Sequence, residues 1–209
     1  MTLAKQRIGI FGGTFNPIHY GHLIIAENAC QQYHLEQVIF LPTGHSPHKP
    51  YMGEDMNTHR CNMVERAIED NPRFSISYEE IQNADINYTY RTLDVFKKKY
   101  PDKELYFILG ADSLFDFEYW RHPEHICTQA TILAAVRDFL TEQKVDEQIQ
   151  YLCKKFQADI HRLETPNFNV SSKSLRERIQ KGQTIRYMVP ETVKDYIFAN
   201  NLYVTTYEK

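Results

Sequence analysis

Cysteine is scarce and scattered. Cys30, Cys61, Cys127 and Cys153 lie far apart in 209 residues, with no CxxC pair among them. That spacing excludes a zinc knuckle and a disulfide framework, and a reducing compartment is the simplest setting. Charge of one sign is lacking too: 24 basic against 27 acidic residues leave a formal charge of -3. A nucleic-acid binder shows a strongly basic face or domain, so a small-molecule ligand fits this balance better. No apolar run approaches the roughly 18 residues of a membrane span, and the opening MTLAKQRIGIF lacks a signal-peptide core. These absences predict a cytoplasmic protein with neither nucleic-acid nor membrane partners. Internal repeats and low-complexity segments are also missing, and the length predicts one domain over residues 1–209.

What the chain does contain is a steady alternation of short apolar runs with helical periods. Apolar runs at 8–11 and 38–41 flank a helix that places Leu23, Ala26, Cys30 and Tyr33 on one face, a β-α-β unit. Met63, Val64, Ala67 and Ile68 mark a second helix. Phe74 and Ile76 alternate as in a strand, and Leu93, Phe96 and Tyr100 predict a helix before the run ELYFILGAD. Then come TILAAV, a helix carrying Val145, Ile149, Leu152 and Phe156, and a strand around Ile160. Two helices close the chain, one capped by Ser171 or Ser172 and ended before Gly182, the next opening with Pro190 in its first turn. The helix around Lys144–Lys155 is either a solvated face or an interface, so a homo-oligomer is left open. The class predicted is α/β, with a doubly wound, mostly parallel sheet whose ligands lie at the carboxyl ends of the strands. The chemistry is therefore expected after Phe11, Leu41 and Leu109 and near Ser171.

The loop after Phe11 reads GGTFNPIHYGH. It lacks the third glycine of G-x-G-x-x-G and the Gly-Lys-Ser/Thr of a P-loop, so both familiar phosphate loops are excluded. Gly12 and Gly13 let backbone approach a ligand, and Asn16-Pro17 turns the chain into a helix starting near His19 to Gly21. His19 and His22, three apart, project from one side of that helix start and can donate to phosphate oxygens. Their other readings are capping histidines or two ligands of a metal, although no third ligand stands nearby. Ser171 and Ser172, with Arg176 one turn on, form a second anion cradle or an ordinary serine-capped helix. Gly110 ends an apolar run where backbone can approach a ligand, and Asp112 and Trp120 follow. Trp120, the sole tryptophan, either stacks on a base or belongs to the core beside Phe115, Phe117 and Tyr119.

Gly13, Thr14, Phe15, Pro17, His19, Gly21 and His22 match, in register, the GTFxPxHxGH signature of the nucleotidyltransferase superfamily, which the stretch resembles. VSSKSLRERI resembles that superfamily's ISSTxIR helix start, with Lys173 where a threonine is frequent and Leu175 where an isoleucine is. GADSLxxFEYWRHPEHI, PHK at 47–49 and NYTYRTL at 87–93 are similar to the bacterial nicotinate-nucleotide adenylyltransferase branch over essentially the whole chain. A sister transferase acting on another phosphate acceptor would share the two signatures without the Trp120 region. A non-catalytic nucleotide sensor would gain nothing from His22 and Arg176.

The resemblance implies a Rossmann-like fold and transfer of AMP from ATP to nicotinate mononucleotide, with Mg²⁺ carried by ATP. It implies that His19, His22, Lys49 and Arg176 act on the phosphates. ATP would lie against Gly12, Gly13, Thr14, Phe15, His19, His22, Gly110, Ser171, Ser172 and Arg176. The acceptor would meet Lys49, Thr89, Tyr90, Asp112 and Trp120, with the Thr89-Tyr90 segment in a loop ahead of its helix. No protein metal site is expected.

Overall fold

The computed structural model describes residues 5–47, 51–136 and 142–204; Lys49, assigned above to the phosphates, lies outside them. In chain order the elements are β1 (Arg7–Gly13), α1 (Tyr20–Gln32), β2 (Gln37–Pro42), α2 (Glu54–Ile68), β3 (Phe74–Ile76) and α3 (Thr89–Lys99). They continue with β4 (Glu104–Gly110), α4 (Ala111–Asp116), a 3₁₀ turn (Phe117–Tyr119), α5 (Pro123–Gln129), β5 (Thr131–Ala135) and α6 (Glu142–Phe156). β6 (Ile160–Leu163), α7 (Ser172–Gln180) and α8 (Glu191–Ala199) complete the series. The six strands form one sheet in the order β3-β2-β1-β4-β5-β6, and every pairing is parallel. Consecutive strands step outward from β1 in one direction and from β4 in the other. The crevice between the carboxyl ends of β1 and β4 is thus the place where such sheets bind ligands.

The period-2 alternation of the strands sorts the apolar residues into two cores. Phe11, Phe40, Ile108 and Leu133 face one side, where α1, α2, α7 and α8 pack through residues such as Ile25, Val64, Leu175 and Val193. Ile8, Ile10, Phe107 and Leu109 face the other, covered by α3 to α6 through Leu93, Phe96, Leu114, Ile126 and Leu152. Both faces of the sheet are covered, as parallel strands require.

Three local expectations change. The buried face of α1 is Gly21, Ile25, Ala26, Ala29 and Cys30, with Leu23 and Tyr33 only partly buried against the same core. Thr89 and Tyr90 open α3 and do not precede it, since Tyr88 is its extended N-terminal cap. Pro190 caps α8 one residue outside the first turn. The four cysteines are free thiols.

Candidate active site

The chain leaves β1 through Gly12 and Gly13 into a loop whose shape is held by packing and by long-range hydrogen bonds. Phe15, at φ 47, turns its ring into the core against Phe11 and Phe40. A Cβ at Gly13 would sit 2.8 Å from that ring, so Gly13 is glycine because Phe15 is buried. The Phe15 side chain is thus part of the core, and only its backbone is left to meet a nucleotide. The peptide Asn16-Pro17 is cis. Arg176 donates from Nη1 to the Asn16 carbonyl at 2.7 Å, and Ser172 donates its hydroxyl to the Pro17 carbonyl at 2.9 Å. Tyr203 bonds the Asn16 side chain. Helix α7 therefore braces the loop with the residues that the sequence assigned to phosphate. Ser171 caps that helix, its Oγ accepting from the Ser174 N–H at 3.1 Å.

His19 and His22 are joined more closely than their spacing tells. His19 is the fully buried N-terminal cap of α1. The two imidazoles stack at 3.8 Å between centroids. The His19 backbone N–H donates to Nδ1 of His22 at 3.2 Å, so His22 fills the place that Glu or Gln takes in a capping box. Accepting at Nδ1 leaves the ring hydrogen on Nε2, which fixes the tautomer as an Nε2–H donor. The helix start itself is largely committed, since the Tyr20 N–H bonds the Met188 carbonyl at 3.1 Å and that of His22 bonds the His19 carbonyl at 2.9 Å. Side-chain donors, more than free amides, are what α1 offers an anion.

Arg60 is the residue that sequence reasoning missed. Its guanidinium is fully buried and donates to the carbonyls of Thr14 and Thr43 and to Oδ1 of Asn57, each at 2.6 Å. One side chain thereby ties the loop after β1 to the loop after β2. Burial lowers its pKa from the usual arginine value, opposed by Cys61, Tyr203 and Glu80. A signal was present: Arg60 shares the apolar face of Met63, Val64 and Ala67, where a lone charge needs buried acceptors.

Glu80 was missed as well, and no periodicity marks it. Its carboxylate accepts from the Thr92 hydroxyl at 2.8 Å and from the Gly44 backbone. Burial pushes its pKa up to about 7, partly offset by the Thr92 and Gly44 hydrogen bonds and by Arg60. A Cβ at Gly44 would lie 2.0 Å from the Glu80 carbonyl, which explains that glycine.

A cavity of about 470 Å³ opens at the carboxyl ends of β1 and β4. Gly12, Gly13, Thr14, Thr89, Gly110 and Trp120, all singled out in the sequence, line it together with Thr43, Ser46, Glu80, Tyr88, Ser113, Asp116 and Arg121. Trp120 packs against Phe107 and Phe117, as its core reading expects, and it also lines the cavity. Asp112 is exposed on α4, whose contributions to the wall are Ser113 and Asp116. Tyr90 turns away from the cavity to pack on His122 and His125. His19, His22, Ser171, Ser172 and Arg176 gather around the loop at 14–19, on the α1 and α7 side of the sheet. The site therefore has two halves divided by the end of β1.

Gly110 stands apart from the other glycines. Its φ of -75 is open to any residue, and a Cβ there would meet no protein atom within 4 Å. Neither backbone nor packing demands glycine, so the vacant space at the mouth of the β1–β4 crevice is free for a ligand.

Comparison with known proteins agrees with this geometry. A family profile described as cytidylyltransferase-like matches residues 10–178. A protein of Lachnoclostridium phytofermentans named "Probable nicotinate-nucleotide adenylyltransferase" is 46% identical over 95% of this chain and 100% of its own. One of the same name from Desulfitobacterium hafniense is 39% identical over 95% and 96%. The solved Plasmodium falciparum nicotinic acid mononucleotide adenylyltransferase, complexed with NaAD, superposes with a TM-score of 0.76 at 20% identity, covering 95% of this chain and 97% of that one. Profile, sequence relatives and fold converge, and the chain belongs to the nicotinate-nucleotide adenylyltransferase family.

Proposed function

We propose that the protein transfers AMP from ATP to nicotinate mononucleotide, forming nicotinate adenine dinucleotide and pyrophosphate in NAD biosynthesis. The observation that carries this reading is the 46% identity across the full length of a relative of that name. The two-part site supports it. The 5′-phosphate of the acceptor attacks the α-phosphorus of ATP, the new P–O bond forms, and the bond to the β-phosphate oxygen breaks. A phosphate monoester has a second pKa near 6, so at neutral pH the nucleophile is already dianionic and needs no general base. What remains for the protein is alignment and charge, which dominate phosphoryl-type transfer.

Nε2–H of His22 supplies a fixed donor to the α-phosphate, with stacked His19 behind it. Arg176, anchored through Nη1 to the loop it braces, offers its remaining donors to the leaving pyrophosphate, and Lys49 is assigned to the phosphates. Gly12 and Gly110 let the adenylate lie against the strand ends, beside Ser171. Trp120 gives the pyridine ring a face to stack on. Among the described residues no three His, Cys, Asp or Glu side chains converge where a metal could sit. The histidine and arginine donors suit phosphate oxygens and not a hard cation, so Mg²⁺ fits as a companion of ATP, held by phosphates and water. When bound it neutralises charge on the triphosphate. No described helix is long and apolar enough to cross a membrane, and with soluble nucleotides as substrates we take the cytoplasm as the place of work.

Pyrophosphate release from ATP should be followed with nicotinate mononucleotide, its amide, phosphopantetheine and phosphocholine as acceptors. The acid should give the highest kcat/KM. A higher value for either of the last two would overturn the assignment.

A further inference from the structure

We propose that Arg121 determines acceptor specificity by pairing with the pyridine carboxylate of the acidic mononucleotide, an inference that rests on the function proposed above. Arg121 lines the cavity beside Trp120 and Thr89. Its guanidinium lies 5.0 Å from the centroid of the Tyr88 ring, and among the described residues it forms no ion pair. Two other charged groups face the same cavity, and neither neutralises it. Glu80 is engaged with Thr92 and Gly44, and Asp116 lies on α4 without an ion pair to Arg121. A cation in a cavity wall without a counterion is a place for an anion.

The surroundings add positive potential of the same sense. Tyr88 caps α3, whose first turn carries no acidic residue, and Arg91 approaches the same ring at 5.8 Å. The N–H groups of Arg91 and Thr92 bond the Tyr88 carbonyl, leaving those of Thr89 and Tyr90 outside the helical ladder. The Arg121 guanidinium and the Thr89 and Tyr90 amides are thus donors. A carboxylate satisfies all of them with both oxygens, whereas a carboxamide turns its own NH₂ donors toward a guanidinium. The acceptor's phosphate belongs at the opposite end, where Gly13 and Thr14 line the cavity and the histidines stand behind the loop. Tyr88 is the positioning residue, fixing the guanidinium by its ring face.

The test is kcat/KM for nicotinate mononucleotide and for its amide, with ATP saturating, on the parent, Arg121→Gln and Arg121→Lys. The glutamine variant should lower the acid-to-amide ratio at least tenfold, and the lysine variant should keep most of it. Equal losses for both acceptors would place Arg121 on the phosphate they share and overturn the proposal. So would a ratio in the glutamine variant within twofold of an acid-selective parent. A parent that turns over neither mononucleotide would instead overturn the function on which the inference rests.

Discussion

His22 does two jobs with two nitrogens. Nδ1 accepts the His19 N–H and closes the start of α1, while Nε2 is the nitrogen we propose as the donor to phosphate. Alanine would remove both, but glutamine keeps an acceptor at this capping-box position. His22→Gln should therefore stay folded by circular dichroism while turnover falls by roughly 10²–10³, the loss of one preorganised donor. A folded variant within threefold of the parent rate would remove His22 from the chemistry. Gly110 gives the converse case, because protein atoms leave room for a Cβ. Gly110→Ala should change stability by no more than about 1 kcal/mol, the chain-entropy gain and the poorer cap nearly cancelling. Its KM for ATP should rise at least tenfold; an unchanged KM would show that the space is not used by the nucleotide. Glu80 makes a pH prediction. Its folded pKa of about 7 lies above the ordinary 4.5, so between those values the folded state holds a proton that the unfolded state has lost. Its contribution is complete below about pH 4.5 and disappears as the pH rises through 7. Urea denaturation across that window should show Glu80→Gln gaining stability relative to the parent as pH rises, then levelling off above 7. A constant difference would mean that Glu80 ionises normally.

At the scale of elements, the site is a set of loops held in register by side chains from distant helices. Helix α2 contributes Arg60, and α7 contributes Ser172 and Arg176. Arg60→Met fits the apolar face of α2 but strands the Thr14 and Thr43 carbonyls and Oδ1 of Asn57. Stability in urea should fall by about 3 kcal/mol or more, the usual cost of several buried groups left without partners. A loss below 1 kcal/mol would mean that water replaces the guanidinium. These braces explain why the anion cradle expected at Ser171 and Ser172 has another form. A serine cap and an arginine one turn later look alike in sequence whether they hold a phosphate or a carbonyl, and the carbonyls lie more than 150 residues away in the chain.

For the molecule as a whole, the alternation of strand and helix was legible because the central strands β1, β2, β4 and β5 bury both faces and each helix buries one. Those two periods appear directly in the order of apolar residues. The gathering of Gly12, Gly13, Thr14, Gly110 and Trp120 at one crevice was legible too, since ligand loops follow strand ends. Arg60 was half-visible as a charge on an apolar face. Glu80 and Arg121 were not, for their partners come from separate segments and leave no local pattern. The claim that unites the scales is that this crevice joins AMP to a mononucleotide by cleaving the α–β bond of ATP. The direct measurement is mass-resolved chromatography of a reaction containing the full chain, ATP, Mg²⁺ and nicotinate mononucleotide. Nicotinate adenine dinucleotide should accumulate in step with pyrophosphate; ADP and inorganic phosphate with no dinucleotide would contradict the account.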